Sequence, residues 1–284
     1  MKILLTGADG QLGHDFRKLF DKLRIKYIAT DFKELDITDK KSINYFFKKN
    51  NDFTHIVNCV GYNDVDKAEI QKEKVRKVNI EGVKNLKKKV EEIEAVFITY
   101  STDFVFSGEK KEPYIEEDET KPLSEYGKSK LESEKEALKY RKTFVIRTSW
   151  LFGVEGNNFS EQILIWSKNK RELKIVDDQV SSPTYSEDLA YFSWKLIQTE
   201  KYGLYHISNN GEASKYDQAK YILEKIGWNG ELKKAKTSDF NLAAKRACYS
   251  KLSSKKLEKL LGEKIPTWEN AIDRYIEKIK YREN

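Results

Sequence analysis

The feature that most constrains the fold of this chain is a glycine-rich turn near its beginning. The residues TGADGQLG at positions 6–13 directly follow an apolar strand candidate and open an amphipathic helical pattern. Gly7, Gly10 and Gly13 permit a tight turn, close approach of the backbone to a pyrophosphate, and close packing of helix on strand. The N-terminus of the following helix adds N–H donors and partial positive charge for phosphate groups. The turn therefore predicts a dinucleotide site, although its spacing is G-x-x-G-x-x-G rather than the more familiar G-x-G-x-x-G.

The first half of the chain alternates short apolar segments with amphipathic ones. The strand candidates are Lys2–Thr6, Tyr27–Thr30, His55–Val60, Val96–Tyr100, Thr143–Thr148 and Leu173–Val176. The helical patterns between them are Leu12–Leu23, Lys41–Asn50, Lys72–Glu92 and Glu125–Tyr140. Several strand candidates are rich in β-branched residues and lack polar alternation, which is typical of strands buried on both faces of a parallel sheet. The pattern predicts an α/β fold of the Rossmann type, with a doubly wound parallel sheet and right-handed crossovers.

The alternation loosens after about residue 150. The helical patterns that follow are Phe159–Lys168, Ser186–Thr199, Lys215–Ile226, Ser253–Leu261 and Thr267–Lys280, with only brief strands between them. We expect a smaller, mostly helical lobe over the carboxyl edge of the sheet, where doubly wound folds bind ligands. The predicted division is a dinucleotide-binding domain at 1–150, its sheet completed by strands after residue 170, and a mainly substrate-binding lobe at 151–284.

An aspartate indicates which dinucleotide the turn binds. Asp31 ends the second strand candidate, at a distance from the turn where a carboxylate binds the adenosine ribose hydroxyls. Such a carboxylate repels the additional phosphate of NADP, whereas Lys33 nearby would soften that repulsion. The cofactor is predicted to be NADH or NADPH, with a leaning toward NADH.

A tyrosine and a lysine four residues apart begin one of the predicted helices. Tyr126 and Lys130 lie on one helix face, because residues at i and i+4 are neighbours. A free phenol has a pKa near 10, and a neighbouring ammonium or an oxidised nicotinamide would lower it toward neutral pH. The fourth strand candidate leads into Thr102, which places a hydroxyl where it can hydrogen-bond a substrate carbonyl. Together with the glycine turn, these residues predict hydride transfer with Tyr126 and Lys130 as the proton-handling pair.

Composition and charge argue against several other classes of protein. The formal net charge is +7, but the lysines are spread along helical patterns without a basic tail, so no nucleic-acid partner is predicted. Two cysteines and three separated histidines exclude a disulfide framework and a thiolate metal cluster. No apolar run approaches the ~20 residues needed to cross a bilayer, and the apolar N-terminal segment is too short for a signal peptide. We therefore expect a soluble, cytoplasmic protein with no membrane partner.

The glycine turn, the strand-end threonine and the Tyr126–Lys130 pair resemble the extended short-chain dehydrogenase/reductase superfamily. Within it, the chain resembles the dTDP-4-dehydrorhamnose reductase family. Stretches shared with that family are LDITD (35–39), VDKAE (65–69), YSTDFVFSGE (100–109), YGKSKL (126–131), RTSWLFG (147–153), GNNF (156–159), VDDQVSSPTY (176–185) and WENA (268–271). The resemblance implies NAD(P)H-dependent reduction of the C4 ketone of dTDP-4-dehydro-6-deoxy-L-mannose to dTDP-L-rhamnose. It also implies a homodimer that acts in nucleotide-sugar and polysaccharide biosynthesis.

The resemblance also assigns roles to single residues. It implies a catalytic set of Thr102, Tyr126 and Lys130, with Thr102 and Asp103 meeting the sugar and Trp150 stacking near it. Cofactor contacts are implied at Gly7, Gly10, Gln11, Leu12, Gly13, Asp31, Asp36, Ile37, Gly61, Tyr62, Asn63, Tyr126 and Lys130. Asn79 matches an asparagine near the active site of many superfamily members, and Asn158 is a candidate for binding the substrate's pyrophosphate.

The chain departs from the family pattern on its substrate side. Phe104 stands where the family usually has tyrosine, which removes one hydroxyl from the substrate pocket. The segment NLAAKRA at 241–247 lacks the prolines that the family commonly shows, but it keeps Arg246. A planar guanidinium suits phosphate oxygens, so Arg246 is also predicted to bind the substrate. These changes affect base and sugar specificity more than reaction type.

A metal ion is implied only for some family members, at acidic residues on a dimer surface. Asp15, Glu187 and Asp188 fall near those positions, but no ligand spacing supports them as a Mg²⁺ site. We therefore predict no metal ligands in this chain.

Three rival functions share the same ancestry. A dehydratase usually carries a second carboxylate where this chain has Phe104, which argues against that reaction. An epimerase or another nucleotide-sugar reductase of the superfamily remains an alternative. So does a non-catalytic dinucleotide-binding regulatory subunit, because such proteins can retain Tyr126 and Lys130.

Overall fold

The computed structural model of the chain describes residues 1–283, with side chains described to residue 280. The strands are β1 (Ile3–Thr6), β2 (Tyr27–Thr30), β3 (His55–Asn58), β4 (Val96–Thr102), β5 (Thr143–Thr148), β6 (Leu151–Phe152), β7 (Glu172–Val176), β8 (Val180–Ser181), β9 (Thr184–Tyr185), β10 (Gly203–His206), β11 (Ala213–Ser214) and β12 (Glu231–Ala235). The helices are α1 (Gln11–Lys22), α2 (Lys40–Lys49), α3 (Val65–Ile70), α4 (Lys72–Arg76), α5 (Val83–Glu92), α6 (Glu125–Ala137), α7 (Phe159–Asn169), α8 (Ser186–Ile197), α9 (Lys215–Lys225), α10 (Lys255–Leu261) and α11 (Trp268–Glu283). A π-helical turn (Lys77–Gly82) joins α4 to α5, and 3₁₀ turns cover Asp103–Val105 and Thr237–Asp239.

Six strands form one parallel sheet in the order β10-β5-β4-β3-β1-β2. The chain passes from β1 to β2 on one side and then to β3 on the other, so the strand order reverses at β1. Doubly wound sheets bind ligands outside the carboxyl ends of the strands at such a reversal. The predicted doubly wound α/β fold is therefore confirmed.

Side chains of β1 show how the sheet is covered on both faces. Ile3 and Leu5 pack into one apolar cluster with α1 and α8, while Leu4 packs into a second cluster with α2 and α5. Successive side chains of a strand point to opposite faces, so a strand buried on both sides is apolar throughout. Both clusters consist of fully buried residues, and this packing holds the strand ends rigidly in place.

The second half of the chain builds a separate core. Phe152, Tyr185, Ile222, Trp268 and Tyr275 belong to a third apolar cluster, between α7, α9 and α11. Two short parallel strands, β7 and β12, pair beside it, away from the six-stranded sheet. This lobe lies over the carboxyl edge of the sheet, since its residues Trp150, Leu151, Gly156 and Asn157 border the same cleft as the strand ends.

One strand differs from the sequence-based expectation. The candidate Leu173–Val176 does form a strand, β7, but it pairs with β12 and not with the main sheet. The sixth strand of the main sheet is β10, which pairs with β5 and was not among the candidates. Its four residues, GLYH, begin with glycine and are only partly apolar, so they carry little strand signal.

Three helices near the cleft begin at side-chain caps. Ser124 accepts a hydrogen bond from the Gly127 N–H at the start of α6, and Asn158 accepts one from the Glu161 N–H at the start of α7. Ser214 caps α9 in a capping box with Asp217. Such caps fix where each helix starts, and therefore where its first side chains lie. No helix in the described part of the chain has the length and apolar character needed to cross a membrane.

Candidate active site

A cleft of about 720 Å³ opens along the carboxyl edge of the sheet. It is bordered by the residues that follow β1, β2, β3, β4 and β5 on one side and by the lobe on the other. The predicted site residues that line it are Gly7, Gly10, Gln11, Leu12, Asp31, Gly61, Asn63, Thr102, Asp103, Tyr126, Lys130 and Trp150. The structure thus brings together most residues for which the sequence predicted a cofactor or substrate contact.

The glycine turn leaves no room for a side chain at two of its positions. Gly7 has φ +68°, and a Cβ there would lie 2.9 Å from the backbone of Cys59 and Val60. A Cβ on Gly13 would lie 2.2 Å from the carbonyl oxygen of Gly7. Gly13 does not line the cleft; instead it lets α1 pack on the turn. Backbone therefore approaches backbone throughout the turn, as close binding of a pyrophosphate requires.

The N-terminus of α1 points its free N–H groups into this end of the cleft. Its N-cap is Gly10, which offers no side-chain acceptor, and the first turn contains no acidic residue. The first N–H groups of α1 therefore remain available for an anionic group. Asp31 lies beside the turn, where it accepts hydrogen bonds from the N–H groups of Asp9 (3.1 Å) and Phe32 (2.7 Å). The residues at this end fit the phosphates and adenosine ribose of a dinucleotide.

Tyr126 and Lys130 lie buried at the centre of the cleft. Burial raises the pKa of Tyr126 above the ordinary phenol value, while a hydrogen bond with Thr102 acts in the opposite direction. Burial also lowers the pKa of Lys130 to about 8, and the carboxylate of Glu134 opposes this decrease. The lysine does not lower the pKa of the tyrosine here, in contrast to the expectation from their spacing. At neutral pH the phenol therefore keeps its proton.

The end of β4 brings Thr102 and Asp103 against the tyrosine. The Thr102 hydroxyl donates to Asp103 Oδ1 at 3.1 Å, and Asp103 Oδ2 accepts from Ser250 at 2.6 Å and Ser181 at 3.3 Å. Burial raises the pKa of Asp103 to about 6, and these hydrogen bonds and the charge of Lys215 oppose the increase. The Thr102 oxygen also accepts from the Phe104 N–H at 3.2 Å, so the hydroxyl is held at the end of β4.

A lysine that the sequence did not reveal borders the substrate side. The Lys215 ammonium lies 3.5 Å from the centroid of the Trp150 ring and 4.5 Å from that of Phe159. Trp150 has φ +45°, a conformation that costs free energy in a non-glycine residue and persists only where its surroundings hold it. Burial lowers the pKa of Lys215 to about 7, and Asp103 opposes that decrease. Lys215 follows the cap of α9, and no sequence motif marks it.

Asn79 acts within the protein framework of the site. It is buried in the π-helical turn, accepts from the Tyr62 N–H at 2.8 Å, and donates to Ser129 Oγ at 2.9 Å. Ser129 in turn donates to the Tyr126 carbonyl at 2.7 Å. Asn79 therefore joins the loop after β3 to α6, and a π-helical turn of this kind is common at functional sites.

Several predicted contact residues do not line the cleft. Tyr62 directs its hydroxyl to Gln71, Asp36 accepts from Thr38, and Ile37 packs in the core. Asn158 caps α7 and donates to Gln11 Oε1 at 3.1 Å and to the Gly153 carbonyl at 2.9 Å. The Asn158 amide is thus committed to protein partners, and its role in pyrophosphate binding stays a prediction.

Arg246 lies in a narrower cleft that shares Phe104 and Trp150 with the main one. Its guanidinium pairs with Asp66, with Nη2 to Oδ2 at 2.5 Å and Nη1 to Oδ1 at 3.2 Å. The Ala244 N–H also donates to Asp66, at 3.0 Å. The ion pair therefore holds the segment 241–247 to α3, although the segment contains no proline. The Arg246 guanidinium, which was predicted to bind phosphate, is already paired with Asp66.

The acidic residues considered for Mg²⁺ do not fit a metal site. Arg274 pairs with Asp188 at 2.6 Å, Lys278 pairs with Glu187 at 2.5 Å, and Ser186 donates to Asp15. Burial raises the pKa of Asp15, which disfavours its charged form. No group of three or more potential metal-ligating side chains occurs among the described residues. The carboxylates are thus satisfied by protein partners.

Fold and cleft together define an extended short-chain dehydrogenase/reductase, a Rossmann enzyme with a Tyr-x-x-x-Lys pair beneath a substrate lobe. The family described as RmlD substrate binding domain matches residues 1–281. A dTDP-4-dehydrorhamnose reductase of Aggregatibacter actinomycetemcomitans is 38% identical over 288 aligned residues, which cover 95% of this chain and 97% of the relative. The chain belongs to the dTDP-4-dehydrorhamnose reductase family.

Solved structures agree with this assignment over the whole chain. The crystal structure of a dTDP-4-dehydrorhamnose reductase from Clostridium acetobutylicum is 37% identical, with a TM-score of 0.95, and the match covers 99% of this chain and 100% of that one. The enzyme from Bacillus anthracis, solved in complex with NADP, is 32% identical, with a TM-score of 0.93 and coverage of 98% and 99%. The similarity therefore includes the substrate lobe as well as the sheet.

Proposed function

We propose that this chain uses NADH or NADPH to reduce the C4 ketone of dTDP-4-dehydro-6-deoxy-L-mannose to dTDP-L-rhamnose. The observation that carries the proposal is the convergence of the glycine turn, Thr102, Tyr126 and Lys130 on one cleft. The relatives from A. actinomycetemcomitans and C. acetobutylicum bear the name of this reductase and match the chain almost end to end. The product places the enzyme in nucleotide-sugar and polysaccharide biosynthesis.

The residues around the turn are suited to hold the dinucleotide. The α1 N–H groups and the backbone at Gly10 and Gln11 would bind its phosphates, and Asp31 its adenosine ribose. Lys130 would donate to the nicotinamide ribose, since its ammonium lies near Gly61 and lines the cleft. When bound, the reduced nicotinamide supplies the hydride for the C4 carbon of the sugar.

The protein itself supplies the proton. Because burial raises the pKa of Tyr126, the phenol is protonated at neutral pH, as an acid for carbonyl reduction must be. Tyr126 donates its proton to the alkoxide that forms at C4. The Thr102 hydroxyl turns from Asp103 to the sugar and donates a hydrogen bond to the same C4 oxygen. Trp150 forms one wall of the substrate site, beside the sugar ring. The Phe104 ring packs edge-on against Tyr126 with centroids 5.5 Å apart, and keeps water from that side of the phenol.

Cofactor preference is set at the adenosine end. Asp9 and Asp31 both line it, and two carboxylates there repel an additional ribose phosphate. The B. anthracis relative was solved with NADP, so a related chain accepts the phosphorylated form. We propose that this chain uses both and prefers NADH. The ratio of kcat/KM for NADH and NADPH measures this preference directly.

We further propose that the enzyme works in the cytoplasm as a homodimer, as its resemblance to the family implies. Light scattering of the purified protein measures the oligomeric state, and a monomer at working concentrations would contradict the dimer.

The reaction is tested by following NADH absorbance with pure protein and dTDP-4-dehydro-6-deoxy-L-mannose. Stoichiometric loss of NADH with formation of dTDP-L-rhamnose is expected. Tight NADH binding without turnover would favour the non-catalytic regulatory alternative instead. Conversion of the sugar without net NADH consumption would identify an epimerase.

A further inference from the structure

A buried carboxylate lies behind the proton-handling pair, outside the cleft. Glu134 is one helical turn beyond Lys130 on α6, and its side chain is only 3% exposed. It pairs with Arg147 of β5 through two hydrogen bonds, Nε to Oε1 at 2.9 Å and Nη2 to Oε2 at 2.8 Å. Ser101 of β4, the neighbour of Thr102, donates to the same Oε1 atom. One carboxylate therefore joins the helix of Tyr126 and Lys130 to two sheet strands.

We propose that Glu134 is a positioning residue for the reduction, which holds Tyr126 and Lys130 on α6 in register with Thr102 at the end of β4. The inference rests on the proposed function, because positioning matters only if these groups act on one substrate. A buried ion pair is weak as a source of stability, since desolvation of the charges offsets their attraction. The ion pair matters more for geometry here, because two of the three joined elements, β4 and α6, carry Thr102, Tyr126 and Lys130.

The surroundings of Arg147 make the arrangement rigid. Its guanidinium stacks on the Phe106 ring at 5.0 Å, and Nη1 lies 3.3 Å from His206 Nε2. Burial and Arg147 lower the pKa of His206 to about 3, so this imidazole is neutral at working pH. His206 Nδ1 lies 3.1 Å from the Tyr114 carbonyl, to which it donates, and Nε2 is left to accept from Arg147. Glu116 also contacts this network, since its carboxylate accepts from the His206 N–H at 2.8 Å. Arg147 is the cation that Glu134 and His206 both contact.

Glu134 also acts on the charge of Lys130. Among the charged groups, its carboxylate alone opposes the decrease that burial causes in the pKa of Lys130. The other titratable groups bordering the cleft are Asp9, Asp31, Cys59, Tyr100, Asp103 and Tyr126. The side-chain oxygens of Asn63 and Asn79 lie, like the Lys130 ammonium, within 4 Å of the position that a Cβ on Gly61 would take. Removal of the Glu134 charge should therefore lower the pKa of Lys130 below about 8.

The decisive experiment compares Glu134→Gln with Glu132→Gln, an exposed carboxylate on the same helix. NADH affinity is measured by calorimetry from pH 6 to pH 10, beside kcat and KM for the sugar nucleotide. For Glu134→Gln we expect kcat to fall on the order of 10- to 100-fold, as for misplaced reacting groups. We also expect NADH binding to weaken at a pH about one unit lower than in wild type. Glu132→Gln should match wild type in both.

An equal loss of kcat at every pH, with no shift in NADH binding, would show a merely structural role and overturn the proposal.

If Glu134→Gln does not fold, Ser101→Ala tests the same link, since it removes one uncharged hydroxyl. Because Glu134 keeps its charge in Ser101→Ala, the pH dependence of NADH binding should be unchanged. The positioning role is read there from a several-fold fall in kcat at an unchanged KM for the sugar nucleotide. Wild-type kcat in Ser101→Ala would contradict the positioning role. If wild-type protein reduces no sugar nucleotide, the proposed function fails. The pH dependence of NADH binding still tests whether the charge of Glu134 raises the pKa of Lys130.

Discussion

The two ends of the cleft are built by different means. At the cofactor end, backbone meets backbone: Gly7 and Gly13 admit no Cβ, and α1 offers N–H groups without a side-chain cap. At the substrate end, side chains set the shape, with the ammonium of the half-buried Lys215 between the rings of Trp150 and Phe159 and near Asp103. A site formed by closely approaching backbone segments tolerates few substitutions, whereas a site formed by side chains can change its shape through substitution. The cofactor end is therefore expected to be more sensitive to substitution than the substrate end.

The largest effect is expected where the two ends meet. Tyr126→Phe removes the acid without changing the cleft, so turnover should fall by about 10²- to 10⁴-fold. NADH affinity should remain nearly unchanged, as measured by calorimetry. Tyr45→Phe, at an exposed tyrosine on α2, is the control and should retain full turnover. Turnover of Tyr126→Phe within twofold of wild type would remove Tyr126 from the mechanism.

A substitution in the turn should break the cofactor end alone. Gly7→Ala introduces a Cβ against the backbone of Cys59 at φ +68°. Strain of about 1–3 kcal/mol must be relieved by moving the turn, so NADH affinity should fall roughly 10- to 100-fold. Gly227→Ala is a matched control, because Gly227 has the same φ with nothing within 4 Å. It should lower the free energy of unfolding but leave NADH affinity unchanged. Equal NADH affinity in both variants would show that the turn is not the phosphate cradle.

Loss of Lys215 should affect the substrate end alone. Lys215→Met removes the cation that opposes the raised pKa of Asp103, so that pKa should rise further above about 6. Asp103 would then take up a proton at a higher pH than in wild type and cease to accept from Thr102. We expect the acid limb of the kcat/KM profile to move to higher pH, and KM for the sugar nucleotide to rise about tenfold.

Controls for this variant lie on the same helix. Lys220→Met, at an exposed lysine of α9, should leave the pH profile unchanged. Lys215→Arg should restore the position of the acid limb, since it keeps the charge. An unmoved limb in Lys215→Met would separate Lys215 from Asp103, and weakened NADH binding would contradict the division between the two ends.

The smallest effect is expected for the ion pair between Asp66 and Arg246. Asp66 is partly exposed, so water screens the pair and its contribution is modest. Asp66→Asn should change KM for the sugar nucleotide by no more than about threefold, with NADH affinity unchanged. In an Arg246→Met background the same change should have no further effect, because the partner is already absent. A larger or additive change would show that Asp66 contacts the substrate by a route other than Arg246.

The glycine turn, Asp31 and the Tyr126–Lys130 pair could be predicted to share one cleft because their determinants are local. Their cofactor contacts stay predictions, and Asp36, Ile37 and Tyr62, which the resemblance also implied, do not line the cleft. The three glycines fall within one turn, Asp31 ends the next strand, and Tyr126 and Lys130 are one helical turn apart. Each of these relations follows from the period of a strand or helix, so it can be read from spacing alone. The doubly wound sheet followed from the same periodicity.

The substrate end could not be predicted in this way, because its contacts join distant parts of the chain. Arg246 and Asp66 are 180 residues apart, and Ser250 and Asp103 are 147 apart. Lys215 matters only because folding places Trp150 and Asp103 beside it. Resemblance to the family identified Trp150 and Arg246, but neither spacing nor resemblance revealed Lys215, or Glu134 with Arg147. Strand β10 was missed for a related reason, since four residues acquire their role only by pairing with β5.

Because β10 joins the sheet late in the chain, the cofactor-binding and substrate-binding parts cannot simply be exchanged between proteins as separate modules. The chain leaves the sheet after β5, builds much of the lobe, and then returns to add β10 against β5. A fragment that ended at residue 150 would leave the edge of β5 unpaired and its Phe144 side without Tyr202 and Tyr205. Recombination at that point would therefore yield a five-stranded sheet with an exposed, aggregation-prone edge rather than a working cofactor module. A new substrate lobe would have to be inserted between two fixed ends of the sheet, not appended after one.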